Sequence, residues 1–261
     1  MPGLLSGRVA LITGGGGEIG GAIARRFASE GAAVAVADIR RDKAEAVAKD
    51  ISERAGRSIA VRANVAVAAD AERSVRHAVE AFGSLTTLVN VAAAVTPDGT
   101  VETLTLEQWN EALATNLTGA FLMCKYAVPE MRKAGGGAIV NIASQLGQIG
   151  VPGRAPYSTS KAALIQFTKC LAGDHAKDGI RANSLSPGGV DTERTVRRFG
   201  TREAANRARG PYHLLGRTGR VEEIAAGALF LASEQSSFMT GADLLLDGGY
   251  LAFKGVLSAP P

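Results

Sequence analysis

The sequence predicts an α/β fold built on one doubly wound parallel sheet of about seven strands, with helices on both faces. Short β-branched and apolar runs alternate along the chain with longer segments of helical periodicity. The short runs are mainly apolar, as expected for strands that are covered on both faces. No proline- or serine-rich linker divides the 261 residues, so we expect a single domain over residues 1–261.

Seven runs are predicted strands and six segments are predicted helices. The strands are Arg8–Thr13, Ala33–Asp38, Ser58–Ala63, Thr87–Val91, Ala138–Ala143, Arg181–Ser186 and Ala242–Leu246. The helices are Ile19–Ser29, Asp42–Arg54, Ala68–Phe82, Leu106–Arg132, Ser158–Ala176 and Val221–Ser233. This alternation implies right-handed crossovers and a ligand site at the carboxyl ends of the strands.

Composition excludes several classes of protein. Hydrophobic residues make up 46% of the chain and charged residues 21%, close to the globular average, which argues against disorder. The longest uncharged apolar run, Ile224–Ala232, is much shorter than the ~20 residues of a membrane span. The first residues show neither the basic region nor the cleavage site of a signal peptide. We therefore expect a cytoplasmic protein without a membrane partner.

Cysteine and histidine spacing offers no metal site. Cys124 and Cys170 make neither a disulfide framework nor a zinc-binding pattern, and we interpret both as reduced core thiols. His77, His175 and His213 share no ligand spacing and are interpreted as solvated side chains. The position of His213 beside a tyrosine leaves a substrate contact open. We expect no bound metal.

Positive charge is concentrated in one segment. The net charge of +4 is too small to indicate a nucleic-acid partner. Residues 190–220, however, contain eight arginines and three acidic residues, and aromatic residues do not alternate regularly with the arginines as they do in nucleic-acid binders. The segment follows the sixth predicted strand, so we expect residues 190–215 to form a lid over the substrate. Such a lid either attracts an anionic substrate or presents a solvated surface that pairs with neighbouring subunits.

A glycine-rich turn, Gly14–Gly20, joins the first predicted strand to the first helix. Its glycines let the backbone approach a pyrophosphate, and the helix supplies free N–H groups and a positive dipole end. This context predicts a dinucleotide site. Asp38 ends the second strand, where a carboxylate accepts the ribose hydroxyls and repels a 2′-phosphate. We expect NAD rather than NADP, although Arg40 and Arg41 follow Asp38 and could hold a phosphate.

Further motifs follow in order along the chain. They are Asn90-Val91-Ala92-Ala93, Thr115-Asn116-Leu117-Thr118-Gly119, Ser144 thirteen residues before Tyr157, Tyr157-Ser158-Thr159-Ser160-Lys161, Ser186-Pro187-Gly188 with Val190 and Thr192, and Thr240-Gly241 with Asp247-Gly248-Gly249. With Thr13-Gly14 and Glu18-Ile19-Gly20, they resemble the motifs of the classical short-chain dehydrogenase/reductase family, which has a Rossmann-like fold. The resemblance covers nearly the whole chain, and the order of the motifs makes it specific.

The resemblance implies a set of functional residues. The implied catalytic residues are Asn116, Ser144, Tyr157 and Lys161. The implied cofactor contacts are Gly14, Gly17, Ile19, Gly20, Asp38, Asn64, Val65, Asn90, Ala92, Tyr157, Lys161, Pro187, Val190 and Thr192. It also implies that Lys161 reaches the nicotinamide ribose, that Asn116 holds a water, and that the protein is a homotetramer or at least a dimer.

The tyrosine and lysine have a chemical rationale of their own. Tyr157 and Lys161 are four residues apart, so they share one helix face. A free tyrosine has a pKa of ~10, and a nearby ammonium group favours the phenolate. Tyr157 is therefore predicted to exchange the substrate proton, and Ser144 to hold the substrate oxygen. Gln145, Gln148 and Tyr212 are predicted to shape the pocket.

The chain departs from the family pattern at three places. Glu18 replaces a glycine of the turn, and we expect its carboxylate to point away from the pyrophosphate, towards a helix N-terminus or an arginine. Val91 and Ala93 replace an asparagine and a glycine, which puts in doubt the structural bond of the second asparagine. Asn64 replaces a frequent aspartate at the adenine, whose edge an asparagine can still bind.

We expect an NAD(H)-dependent oxidoreductase that moves hydride between a nicotinamide cofactor and a secondary alcohol or ketone. An alternative is a 3-oxoacyl-carrier-protein reductase. Asp38 argues against it, as does Gly17, which stands where those enzymes carry an arginine. A remote alternative is a protein that senses NAD(H) without turnover, against which the intact Ser-Tyr-Lys set argues. The residues do not fix the substrate or the direction of the reaction.

Overall fold

The computed structural model describes residues 2–94 and 96–252 and contains one sheet of seven parallel strands. The strands are β1 (Val9–Thr13), β2 (Ala33–Asp38), β3 (Ser58–Arg62), β4 (Thr87–Asn90), β5 (Gly137–Ile142), β6 (Ile180–Pro187) and β7 (Asp243–Leu246). Their order is β3-β2-β1-β4-β5-β6-β7. The chain leaves β1 towards one edge and returns at β4 towards the other, so a crevice opens between the carboxyl ends of these two strands.

Nine α-helices connect the strands of the described chain. They are α1 (Glu18–Ser29), α2 (Arg41–Glu53), α3 (Ala68–Phe82), α4 (Leu106–Leu113), α5 (Gly119–Lys133), α6 (Ala155–His175), α7 (Glu193–Phe199), α8 (Arg202–Arg209) and α9 (Val221–Ala232). The doubly wound architecture is confirmed, and every strand lies within one residue of its predicted bounds.

Two predictions about helices were incomplete. The stretch predicted as one helix, Leu106–Arg132, is interrupted by a π-helix, Ala114–Thr118. The arginine-rich segment, residues 190–220, contains α7 and α8, which the polar sequence did not distinguish from a loop. Both helices lie beyond the carboxyl end of β6, on the edge of the sheet where the crevice opens.

Apolar side chains cover both faces of the sheet. Successive residues of a strand point to opposite faces, so Leu11 and Ile12 of β1 enter different core layers. On one face Ile12 packs with Phe27 of α1 and Leu229 of α9. On the other face Leu11 packs with Met123 of α5. The two layers hold the strand ends rigidly, and the loops at those ends carry the functional side chains.

The two cysteines differ in exposure. Cys124, on α5, is buried, whereas Cys170, on α6, is exposed, so the prediction of two core thiols was wrong for Cys170. The apolar stripe of α6 faces the sheet through Leu164 and Leu171, and Cys170 lies off that stripe. Among the described residues we find no helix with the length and apolarity needed to cross a bilayer. The same residues contain no His, Cys, Asp or Glu group arranged to hold a metal ion.

Candidate active site

The turn between β1 and α1 leaves no room for a side chain at two of its glycines. A Cβ atom on Gly14 would lie 2.9 Å from the Ala92 backbone, and one on Gly20 would lie 2.2 Å from the Gly14 carbonyl oxygen. The N-cap of α1 is Gly17, which has no side chain to bond the first N–H groups of the helix. Those N–H groups and the helix dipole suit a pyrophosphate, so the turn fits the diphosphate of a dinucleotide.

Asp38 lies directly against this turn. Its side chain is only 6% exposed, and its Oδ2 accepts a hydrogen bond of 3.0 Å from the Gly16 N–H. Its Oδ1 accepts another of 3.0 Å from the Arg40 N–H. The Arg40 side chain turns back to the same carboxylate, with its Nε at 3.5 Å from Oδ1. The carboxylate is therefore fixed at the end of β2, where an adenosine ribose would meet it.

The loop after β3 supplies the next predicted contacts. The Oδ1 atom of Asn64 accepts a hydrogen bond of 3.1 Å from the Ala66 N–H, so this side chain caps its own turn. Val65 packs so closely on Gly119 that a Cβ there would lie 2.6 Å from the valine Cγ2. Val65 lines a narrow cleft together with Thr13, Asn90, Ala92 and Asn116. Residues predicted to bind cofactor and one predicted to be catalytic thus share one cleft.

Asn90 is turned into the sheet. Its Nδ2 donates to Asn141 Oδ1 at 2.9 Å, and its Oδ1 has no partner among the described residues. The side chains of Val91 and Ala93 cannot form the structural hydrogen bond of the family's second asparagine. In this chain, backbone N–H groups of the same loop bond the end of β1 instead. Thr13 Oγ1 accepts from the Val91 N–H at 3.1 Å and from the Ala92 N–H at 3.3 Å, which ties the end of β1 to the loop after β4.

The π-helix places Asn116 at the centre of the site. Its side chain is 1% exposed, and its Oδ1 accepts from the Ala94 N–H at 2.8 Å. Its Nδ2 donates to Ser160 Oγ at 2.9 Å, and Ser160 Oγ donates to the Tyr157 carbonyl at 2.7 Å. Asn116 therefore links the loop after β4 to α6 beside Tyr157. A single π turn inside an α-helix frequently marks a functional site.

Ser144 and α6 are packed together. Ser144 follows β5, is 7% exposed, and accepts a hydrogen bond of 3.1 Å from the Leu146 N–H. A serine hydroxyl that accepts one bond keeps its own O–H to donate. A Cβ on Gly147 would lie 2.8 Å from the backbone of Lys161, so the turn after Ser144 rests on the helix of Tyr157 and Lys161.

Lys161 is a buried cation beneath the tyrosine. It is 2% exposed, and its Nζ donates to the Ile142 carbonyl at 2.6 Å. The same Nζ lies 5.8 Å from the centroid of the Tyr157 ring. Burial, and then the positive charge of Arg194, lower the pKa of Lys161 to about 8. The ammonium form therefore still predominates at neutral pH, next to the phenol.

The loop after β6 is held by a buried histidine. The Gly189 N–H donates to His213 Nε2 at 3.0 Å, and His213 Nδ1 lies 2.9 Å from the Arg209 carbonyl oxygen. His213 is 2% exposed, so its interpretation as a solvated side chain was wrong. Burial lowers the pKa of His213, which favours a neutral ring with the proton on Nδ1. This histidine fastens the arginine-rich segment to the loop that follows Pro187.

Glu18 joins the glycine turn to that segment. Its Oε2 accepts a hydrogen bond of 2.6 Å from the Glu193 N–H, at the start of α7, and its Oε1 lies 3.6 Å from Arg202. Arg202 also pairs with Asp191 at 2.8 Å. The carboxylate thus points away from the turn and towards an arginine, as the sequence predicts, and it also bonds the N-terminus of α7. Val190 and the α7 N-cap Thr192, both predicted cofactor contacts, lie in the same stretch.

The residues predicted to shape the pocket have different surroundings. Gln145 is 4% exposed, and its Oε1 has no partner among the described residues. The Nε2 of Gln148 instead donates to Asp243 Oδ2 at 2.6 Å. Tyr212 is 47% exposed. Sequence reasoning missed Arg154, whose guanidinium carbon lies 5.3 Å from the centroid of the Tyr157 ring. Its only sequence signal is its place three residues before Tyr157.

Comparisons with known proteins agree with this geometry. Residues 16–251 match a family described as enoyl-(acyl carrier protein) reductase. A 2,5-dichloro-2,5-cyclohexadiene-1,4-diol dehydrogenase, LinX, of Sphingobium indicum is 40% identical over 250 residues, which are 96% of this chain and 98% of that protein. A 3-oxoacyl-[acyl-carrier-protein] reductase of Chlamydia muridarum is 35% identical over 254 residues, covering 95% of this chain and 99% of that one.

A solved structure gives the same result for the fold. It is a 7α-hydroxysteroid dehydrogenase complexed with NADH and 7-oxo glycochenodeoxycholic acid, with a TM-score of 0.88 and 31% identity over 94% of each chain. The chain is therefore an oxidoreductase related to dehydrogenases of alcohols and ketones. The motifs, the sheet topology and these likenesses together place the chain in the classical short-chain dehydrogenase/reductase family.

Proposed function

We propose that this protein is an NAD(H)-dependent dehydrogenase/reductase of secondary alcohols and ketones, with Tyr157 as the acid/base. The observation that carries the proposal is the buried Lys161 ammonium, 5.8 Å from the Tyr157 ring, on a helix that packs against the Ser144 turn. A cation that pairs with no carboxylate among the described residues is costly to bury, which favours a chemical role over a structural one. The NADH in the related hydroxysteroid dehydrogenase structure supports a nicotinamide cofactor.

The preference for NAD rests on Asp38. Its carboxylate, held by the N–H groups of Gly16 and Arg40, would accept the two ribose hydroxyls of NAD. A 2′-phosphate at the same place would bring two negative groups together, which costs free energy. Arg40 already pairs with Asp38, so it is less available to a phosphate.

The protein's own side chains can carry out the proton transfer that accompanies hydride transfer. When bound, the nicotinamide supplies or accepts the hydride at the carbinol carbon. In alcohol oxidation the Tyr157 phenolate takes the hydroxyl proton, and in ketone reduction the phenol returns it. The free O–H of Ser144 donates a hydrogen bond to the substrate oxygen. The Lys161 ammonium stabilises the phenolate charge, and Asn116 holds the backbone of the Tyr157 turn through Ser160.

A 3-oxoacyl-carrier-protein reductase is the second candidate. The 35% identity to such an enzyme and the cationic segment, which complements an acidic carrier, favour it. Asp38 counts against it because a carboxylate there favours NAD over NADP. Gly17 counts against it because those reductases carry an arginine at this position of the turn. Turnover of a 3-oxoacyl thioester with NADPH at a higher kcat/KM than any simple ketone with NADH would select this candidate.

We also propose association into a homotetramer, or at least a dimer, through α5 and α6. Phe121 of α5 is 47% exposed, and its ring centroid lies 6.2 Å from that of Phe167 on α6. An exposed phenylalanine that packs on a partly buried one, on two long neighbouring helices, is typical of a contact surface. Light scattering at micromolar concentration tests this, and a monomer would contradict it.

The test of the function combines cofactor binding with turnover. We expect fluorescence titration to show tighter binding of NADH than of NADPH, and a panel of secondary alcohols to be oxidised with NAD. Replacing the acid/base removes ~10²–10⁴-fold of rate, so Tyr157→Phe should lower kcat at least ~100-fold. NADH affinity should stay within about twofold, because the glycine turn is untouched. Activity within tenfold of wild type would reject Tyr157 as the acid/base.

Tyr126→Phe is the matched control. Tyr126 is a partly buried tyrosine of α5, next to Lys125, and it lies outside the proposed site. It loses the same hydroxyl group as the Tyr157 variant. We expect the control to keep wild-type kcat, which would separate loss of chemistry from loss of folding.

A further inference from the structure

Two arginine side chains lie near the Tyr157 ring. The guanidinium carbon of Arg154, at the start of α6, lies 5.3 Å from the ring centroid, and that of Arg194, on α7, lies 6.0 Å from it. Asp98 pairs with Arg154 and, at 3.0 Å, with Arg198. In the described part of the chain no other carboxylate pairs with these arginines. The surroundings of the proposed reacting oxygen therefore carry an excess of positive charge.

Arg209, at the end of α8, is a partly buried arginine near this group. It packs on the loop after β6, where a Cβ on Gly189 would lie 3.0 Å from its Nη2. Its own carbonyl bonds His213, so the backbone at this position is fixed. Within residues 2–94 and 96–252 its guanidinium forms no salt bridge. Burial, and then the charge of Arg198, lower the pKa of Arg209, while Tyr250 and Tyr157 oppose the shift.

A partly buried guanidinium without a carboxylate is an unfavourable arrangement. Arginine does not give up its proton in proteins, so the charge persists despite burial and despite the repulsion of Arg154 and Arg198. An oxyanion placed there would relieve the repulsion and complete bidentate hydrogen bonds. The planar guanidinium thus forms one half of a binding site for a carboxylate-like group.

We propose that the substrate is anionic, and that its carboxylate or other oxyanion binds Arg209 while its alcohol or ketone oxygen lies at Tyr157. This inference rests on the proposed function, because it uses Tyr157 to place the reacting oxygen. It specifies the substrate class: hydroxy acids or oxo acids in preference to neutral alcohols. Arg154 and Arg194 contribute longer-range attraction, and Asp98 pairs with Arg154 and Arg198.

The cofactor is not the anion that Arg209 serves. A diphosphate would bind at the glycine turn after β1, and a 2′-phosphate beside Asp38 after β2. Arg209 instead packs on Gly189, after β6, and its electrostatic neighbours include Arg198, Tyr250 and Tyr157. Exposed arginines such as Arg207, on the same helix, provide only screened steering of a charged ligand.

The experiment measures binding of unreactive acids and needs no turnover. Butanoate, cyclohexanecarboxylate and decanoate are each compared with the matching amide, by calorimetry on protein saturated with NADH. We expect at least one acid to bind tenfold or more tightly than its amide. In Arg209→Gln the ratio should fall below threefold, and in Arg207→Gln it should stay at the wild-type value. Raising salt from about 50 to 500 mM should weaken the acid and not the amide.

The outcomes separate this inference from the proposed function. Equal binding of acid and amide for all three pairs, or no binding of any acid, would overturn the anionic substrate. So would a loss of NADH affinity in Arg209→Gln as large as the loss of acid affinity, since Arg209 would then be a cofactor contact. If Arg209→Gln does not fold, Arg194→Gln, on an exposed side chain, should lower the ratio about threefold. Failure of the proposed function shows instead as no alcohol turnover with either cofactor.

Discussion

Lys161 makes the stability of this protein depend on pH in an unusual direction. Burial and Arg194 lower its pKa from 10.5 to about 8, whereas an unfolded chain returns the lysine to its ordinary value. Below about pH 8 both states hold the proton, so the lysine adds no pH dependence. Between about pH 8 and 10.5 only the unfolded state holds it. The free energy of unfolding should therefore rise with pH over this interval.

The magnitude follows from the difference between the two pKa values. At about 1.4 kcal/mol per pH unit, a difference of roughly 2.5 units amounts to ~3 kcal/mol. Lys161→Met removes this charge and also the hydrogen bond to the Ile142 carbonyl, which contributes ~1 kcal/mol at every pH. We expect the variant to be about 2 kcal/mol more stable than wild type near pH 7 and about 1 kcal/mol less stable near pH 10.5.

Urea unfolding of both proteins at a fixed protein concentration, between about pH 7 and 10.5, measures this difference. Lys169→Met is the matched control, because Lys169 lies exposed on the same helix and is solvated in both states. Its effect on stability should be small and equal at every pH. A difference between Lys161→Met and wild type that changes by less than ~1 kcal/mol across the range would refute the reasoning. The variant should also lose turnover, since a stabilising change at a functional site is expected to cost activity.

Two further variants test the cofactor site. Asp38→Ala should lower the ratio of NAD to NADP kcat/KM at least tenfold, because it removes both the ribose acceptor and the charge that repels a 2′-phosphate. An unchanged ratio would show that Asp38 only braces the glycine turn through Gly16. Glu18→Gln keeps an acceptor for the Glu193 N–H and removes a negative charge near the diphosphate turn. NADH should bind more tightly, by up to tenfold in fluorescence titration, and weaker binding would mean that the Arg202 pair orders the site.

The sequence predicted the strands well because each is a short, mainly apolar run that alternates with a helical segment. Most of these runs place apolar residues on both faces of the sheet, and this pattern is local to each run. The glycine turn and the Tyr157-Lys161 pair were equally visible, because their spacing within one local element carries the information. Roles for these residues remain proposals, tested by the variants above.

Features that depend on tertiary contacts were not visible in the sequence. Helical periodicity continues through residues 106–132, whereas the π turn contains Asn116, which bonds Ala94 and Ser160 of distant elements. Arg209 is one of eight arginines in a polar segment, and only packing on Gly189 distinguishes it from the exposed ones. His213 likewise has a structural role that depends on a tertiary contact, because its ring accepts the hydrogen bond of the Gly189 N–H.

The unequal cysteines give the protein a built-in chemical reporter. Cys124 Sγ accepts a long contact from the Asn90 amide at 3.6 Å, and burial raises the pKa of its thiol to about 12. Thiolate, the form that reacts with disulfide reagents, is thereby suppressed at Cys124, whereas Cys170 meets solvent. In the native protein, the Cys170 thiol should react with such a reagent at once. Cys124 should react only when α5 separates from the strand that carries Asn90. The rate at which Cys124 is labelled therefore measures how often the catalytic core opens.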